Sequence, residues 1–340
     1  MKYFTFFTLL IFAFYLAGFI KKTEKYRWMD KDYTTAIKGV SILTVVWSHS
    51  GARLAVGGIQ FIAGISVALF LLCSGYGLEF SYEKRGLRKF WKKRLLRVVL
   101  PFWGVELVGL LISENFSIKT YLLDCSFLKP ATSYGWFVGY IIICYLAFYL
   151  VKRFITDNTR QMIVLFGIFA VWFILDSVFF ANTDMPFLRA RQMLSFPFGV
   201  LIALNKEKVE KLSERMRIAP ILGGIMCFVF MALMQLPIVK TLPYLVSNAM
   251  SLLTCFPMAI AIILFGKSFR GLFENRMLVM TGRMSYEIYL VQSFTLCIIR
   301  TSIISVLVFV IVTYVLAYIL HLGMGRVKDD RLNRSYINQK

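Results

Sequence analysis

Ala36-Ile37-Lys38-Gly39-Val40-Ser41-Ile42-Leu43-Thr44-Val45-Val46-Trp47-Ser48-His49-Ser50 is an apolar stretch interrupted by one cation and one imidazole. On an α-helix, the eleven steps from Lys38 to His49 at roughly 100° each return to within about 20°, so both side chains fall on one face. At about 1.5 Å per residue they stand ~16 Å apart along the axis, about half the thickness of a hydrocarbon core. The stretch therefore reads as a membrane helix with a cation near one surface and an imidazole near the midplane. Ionisable groups inside a bilayer are costly and by default mark function. His49 is one of only two histidines; the other, His321, lies near the end of the last apolar segment.

The rest of the chain has the same character. Hydrophobic residues make up 59% of it and the mean hydropathy is +0.69. Eleven apolar segments are expected to form helices: 3–20, 36–57, 59–80, 97–113, 134–151, 162–180, 192–204, 218–236, 245–265, 285–300 and 301–322. The seventh is short and carries Pro197, which suggests a kinked or partly re-entrant segment. No long soluble domain fits between them. The expected fold is an all-α, polytopic integral membrane helix bundle of about 10–11 transmembrane helices. Residues 1–32 form an extra N-terminal anchor with a basic loop, 33–322 the membrane domain proper, and 323–340 a basic tail. The first segment has a single Lys2 before it, no Ala-x-Ala site, and Lys21-Lys22 directly after it, so it reads as a retained anchor.

The basic residues give an orientation. Segments 21–35, 81–97, 152–161, 205–217, 266–284 and 323–340 hold 30 of the 39 Lys and Arg, and they alternate correctly if all are cytoplasmic. The N-terminus is then outside, the C-terminus inside, and Lys38 at the cytoplasmic end of its helix, in a cell (plasma) membrane. A net charge of +21 is thereby explained by the bilayer and its anionic lipid, with no nucleic-acid partner. The six cysteines (Cys73, Cys125, Cys144, Cys227, Cys255 and Cys297) are scattered, with no CxxC and no Cys/His cluster, so neither a metal site nor a disulfide framework is indicated. Buried apolar thiols are the simpler reading.

The densest positive stretch runs from Lys84 to Arg97, with eight cations and one acid, Glu83, in residues 81–97. One reading is an interfacial helix whose Phe90, Trp91, Leu95 and Leu96 dip into the bilayer. The other concerns Arg94 and Arg97, whose i,i+3 spacing projects both guanidinium groups on one side to grip a phosphorylated ligand. Glu106 and Glu287 are expected to pair with Lys38, Arg94 or Arg97, and Asp176 to be solvated near the outer end. Arg189 and Arg191 stand at an outer mouth, facing either headgroups or an acidic or sugar ligand. Tyr134, Trp136, Tyr286 and Tyr289 suit sugar stacking and equally an interfacial aromatic belt. Ser74-Gly75 reads as a close helix–helix contact.

These pieces resemble, in order, the membrane acyltransferase-3 family, which O-acylates sugars and surface polymers. Lys38 and His49 with ten residues between them fit its Arg/Lys-x10-His signature. Phe70-Leu71-Leu72-Cys73-Ser74-Gly75-Tyr76 looks like its FFxLSGF segment, and Arg94-Leu95-Leu96-Arg97 with Pro101 like its RxxR...P. Tyr134-Gly135-Trp136-Phe137-Val138 resembles LWFL, and Arg191 through Ser195-Phe196-Pro197-Phe198-Gly199 the late Arg...FxxG helix. Ser285-Tyr286-Glu287-Ile288-Tyr289-Leu290 is similar to the terminal SYxIYL. Where the family often has Asp before the basic position this chain has Thr35, and where it often has His after SYxIYL this chain has Gln292.

The resemblance implies an acyltransferase that takes an acyl group, acetyl above all, from cytoplasmic acyl-CoA (acetyl-CoA) without a metal. It implies His49 as the catalytic residue, with Arg94, Arg97 and Lys38 binding the donor. Arg191, Trp136, Tyr289 and Gln292 are then candidates for holding the acceptor, a sugar or polysaccharide. Two other classes remain open on the residues alone: a multi-span transporter or flippase, and a non-catalytic ligand-binding domain of the same fold.

Overall fold

The computed structural model describes residues 1–20, 25, 27–114, 116–132, 135–179, 189–215 and 218–337, with 326–337 described by backbone only. Lys21, Lys22 and Tyr134 lie outside the described residues. No strand occurs among those described, and each of the eleven expected segments contains a helix. In chain order these are α1 (Lys2–Ala17), α2 (Lys31–Arg53), α3 (Phe61–Arg85), α4 (Phe90–Ile112), α6 (Trp136–Phe154), α7 (Asn158–Phe179), α8 (Ser195–Leu204), α10 (Ala219–Leu233), α12 (Tyr244–Ser268), α14 (Ser285–Thr295) and α15 (Ile303–Ile337). Four shorter helices fill connections: α5 (Ile118–Cys125), α9 (Lys206–Arg215), α11 (Pro237–Lys240) and α13 (Arg276–Arg283).

Among the described residues six helices are long and apolar enough to cross a membrane: α3, α4, α6, α7, α12 and α15. α2 has the length but carries Lys31, Asp32, Lys38, His49 and Arg53; it is lodged inside the bundle, along α3 on one side and α13 on another. A helix shielded by other helices has no need of a wholly apolar surface. Its start is capped by Asp30, whose carboxylate accepts the Tyr33 amide at 2.8 Å.

Glycine pairs bring the central helices together. A Cβ on Gly39 would strike the carbonyl of Leu278, and one on Gly282 the carbonyl of Thr35, so α2 and α13 touch backbone to backbone one turn from Lys38. Gly75 and Gly199 do the same for α3 and α8, against the carbonyls of Phe196 and Leu72. This is the close contact expected of Ser74-Gly75. Pro197 lies in the first turn of α8, where a missing N–H costs nothing, so it starts the helix instead of kinking it.

The basic stretch is no interfacial helix. α3 continues to Arg85, the chain reverses through Gly86 and Lys89, both at positive φ, and α4 begins at Phe90. Of the eight cations, Arg88 and Lys89 lie in that turn and the other six in the adjoining ends of the two spans.

Candidate active site

α2 is continuous from Lys31 to Arg53, so Lys38 and His49 keep the ~16 Å separation that helical geometry gives them. His49 is half-buried, and the side chain of Gln292 on α14 faces it. Gln292 is completely buried, yet neither its amide nitrogen nor its amide oxygen closes a short hydrogen bond among the described residues. A buried primary amide is costly unless polar groups face it, and the imidazole of His49 is the polar group that Gln292 faces. The neighbouring serines are engaged elsewhere or not at all with the imidazole: Ser48 donates to the carbonyl of Ile59 at 3.3 Å.

Lys38 is half-buried and lies within electrostatic reach of Cys73 on α3. It thus faces the interior of the bundle. The next residue on α3, Ser74, lies against the hydroxyl of Tyr145 on α6. Tyr145 in turn lies beneath Arg94, whose guanidinium carbon stands 5.2 Å from the Tyr145 ring and 4.4 Å from the Phe90 ring. Cys73-Ser74 thus neighbours the surroundings of both cations: Cys73 is within electrostatic reach of Lys38, and Ser74 lies against the tyrosine beneath Arg94.

Arg94 has aromatic rings against it and no carboxylate among the described residues. Stacking leaves the N–H edge of a guanidinium available for a planar, bidentate acceptor. Arg97 is exposed. It does not share the direction of Arg94, because Leu95–Val99 is a π-helical turn in which the i,i+3 alignment is lost. The cause is Pro101. Its ring crowds the carbonyl four residues back, that of Arg97, and it has no N–H to give, so the helix widens there. The two arginines remain within electrostatic range of each other.

The hydroxyl of Tyr286, on α14, donates to the carbonyl of Val98 inside this π-turn at 2.8 Å. One helix thus carries Gln292 toward His49 and holds the turn that follows Arg94. Tyr289, one turn after Tyr286, is buried with its ring 5.2 Å from that of Phe137. Trp136 packs edge-on to Phe137 and Tyr140, so Trp136 and Tyr289 share one aromatic cluster. The guanidinium of Arg191 crosses Gly64 of α3 beside Cys255 of α12, where a Cβ on residue 64 would meet both at 2.9 Å.

The expectations for three acids, two pairings and one solvated site, are corrected. Glu287 bonds His321 of α15 at 2.9 Å and not Lys38, Arg94 or Arg97. Glu106 is buried next to Asp124, another acid, and pairs with no cation among the described residues. Asp176 is buried and ion-paired to Arg189 at 3.2 Å, not solvated. Of the cysteines, Cys297 is exposed and Cys125 half-buried; the other four are buried as expected.

Sequence reasoning missed Tyr145, Phe90 and the bond made by Tyr286. The i,i+3,i+4 spacing of Tyr145, Phe148 and Tyr149 was the available signal for an aromatic face on α6. No curated protein and no solved structure matches this chain. A family model does: the acyltransferase domain of the acyltransferase-3 type matches residues 26–322, which takes in Lys38, His49, the arginine turn and the Gln292 helix, and the chain therefore belongs to that family of membrane acyltransferases.

Proposed function

We propose that this acyltransferase moves an acyl group, acetyl above all, from cytoplasmic acyl-coenzyme A to a hydroxyl of a cell-envelope sugar, polymeric or lipid-linked. The observation that carries this reading is the meeting of His49 with the wholly buried side-chain amide of Gln292, on the helix that also braces the arginine turn. Arg94 grips the donor phosphates through its open N–H edge, and Arg97 adds charge from the solvent side. Lys38, inside the bundle between that turn and His49, draws the donor inward. The orientation with the N-terminus outside puts Lys38 and both arginines on the cytoplasmic side, where coenzyme A is found.

At the imidazole, the acceptor oxygen attacks the thioester carbonyl while His49 takes the hydroxyl proton. The new C–O bond forms, the C–S bond breaks, and the sulfur leaves as the coenzyme A thiol after receiving that proton. Gln292 cannot carry a proton at neutral pH, but it can donate to or accept from the imidazole or the acceptor and so fix their geometry. Trp136 and Tyr289 offer an aromatic wall for the sugar, and Arg191 a cation toward an acidic one.

The test is transfer of radiolabelled acetyl from acetyl-coenzyme A into membrane glycan by the wild type, His49→Ala and Arg94→Ala. Transfer that falls at least ~1,000-fold in His49→Ala, with coenzyme A binding kept, supports the assignment. Transfer indifferent to His49 rejects it.

A further inference from the structure

The π-turn between Arg94 and Pro101 is irregular backbone, and irregular backbone inside a bundle needs outside support. Pro101 can donate to neither the carbonyl four residues back, Arg97, nor the one five back, Leu96. Among the described residues the turn receives one side-chain donor from elsewhere in the fold, the Tyr286 hydroxyl on the Val98 carbonyl at 2.8 Å, across a sequence separation of 188 residues. Tyr286 also lies within electrostatic reach of Tyr145, the ring beneath Arg94, and of Tyr289. Six residues further along the same helix, about 9 Å, is Gln292.

We propose that Tyr286 is a positioning residue for donor binding: its hydroxyl holds the π-turn that sets Arg94 and Arg97, and ties that turn to the helix whose Gln292 faces His49. This rests on the reading of Arg94 and Arg97 as the donor grip. The hydroxyl touches neither substrate nor imidazole; it acts through the Val98 carbonyl. Its loss frees the turn to rotate and misaligns a guanidinium whose bidentate contact depends on direction.

Tyr286→Phe removes that oxygen alone. It is expected to raise KM for acetyl-coenzyme A about five- to tenfold, the usual worth of one hydrogen bond, with kcat within about twofold. Because it acts through Arg94, the same change made on an Arg94→Ala background is expected to move KM by less than about twofold. Tyr314→Phe is the structural control. It deletes another interhelical tyrosine bond, to the Thr281 hydroxyl at 2.9 Å, and is expected to lower thermal stability comparably without moving donor KM. Pro101→Ala, which lets the turn tighten into a regular helix, probes the same element independently and is expected to raise donor KM in the same direction.

A wild type that transfers label while Tyr286→Phe and Pro101→Ala keep its donor KM overturns the positioning role alone. So does a Tyr286→Phe defect confined to kcat or matched by Tyr314→Phe. A wild type that neither binds coenzyme A nor transfers label overturns the donor reading and the positioning role together.

Discussion

Two cations rest on the same aromatic layer of α6 and differ in everything else. Lys152 is buried, with its ammonium 2.7 Å from Glu79, 2.6 Å from Gln161 and over the rings of Tyr82 and Phe148. Arg94 lies two turns earlier on that layer, over Tyr145 and over Phe90, which itself stacks on Phe148. The lysine has a carboxylate, an amide and two rings; its donors are used. The arginine has rings on its faces and its edge left over. Cation–π contact and a place at least partly inside the bundle are common to both, so neither marks a site. The distinguishing feature is whether the hydrogen-bonding directions of the charge are already taken.

The largest expected effect is on the closed cation. Lys152→Met strands the Glu79 carboxylate at 1% exposure and is expected to cost about 3–5 kcal/mol of stability, read from thermal unfolding in detergent, with donor KM unchanged in whatever folds. The paired change Glu79→Leu with Lys152→Met is expected to restore most of that loss. Should Lys152→Met leave stability intact and raise donor KM, the two cations would not differ as described.

Arg94→Ala is expected to do the reverse. Unfolding moves by less than ~0.5 kcal/mol, while donor affinity falls ~30-fold, about 2 kcal/mol for a charge-assisted contact. Arg94→Lys is intermediate, about tenfold, because it keeps the charge and loses the planar fork between two rings. Coenzyme A binding by calorimetry separates the three; a lysine variant equal to the wild type would show that charge alone matters.

Much of this contrast was hidden in the sequence, for a definite reason. The apolar segments were legible because a bilayer demands long apolar helices: each expected segment contains a helix, and six of those helices are long and apolar enough to cross it. The His49 helix was legible because two ionisable groups in an apolar stretch conflict with that demand. Partner choice was not legible. Glu79 and Lys152 are 73 residues apart, Tyr286 and Val98 188, and nothing local says which acid meets which base. That is why Glu287 was matched to an arginine when it bonds His321, and why Asp176 was left in water when it pairs with Arg189. Two misreadings had local signals: Gly86 breaks the basic stretch, and Pro101 distorts the i,i+3 geometry of the arginines.

A third region tests the same rule with the sign of charge reversed and gives the smallest effect. Asp124, in the short helix α5 between two spans, accepts the Ala131 amide at 2.9 Å through one oxygen, while its other oxygen is buried without a partner beside Glu106. Burial raises its pKa above the ordinary carboxylate value, against the lowering effect of the Ala131 amide. A carboxyl whose folded pKa is raised binds its proton more tightly when folded, so its contribution is fully present below the unfolded pKa and is lost as pH rises through the folded one. The wild type is therefore expected to be more stable in mild acid than at neutral pH on account of this group. Asp124→Asn keeps an oxygen for the Ala131 amide and removes the charge, so it is expected to stabilise the protein at neutral pH, with the gain vanishing as pH falls below the carboxylate range. Melting curves of both proteins across that range decide it: an Asn variant less stable at neutral pH would mean that the unused oxygen of Asp124 holds a charge the fold requires, and that an open acid, unlike an open arginine, is structural here.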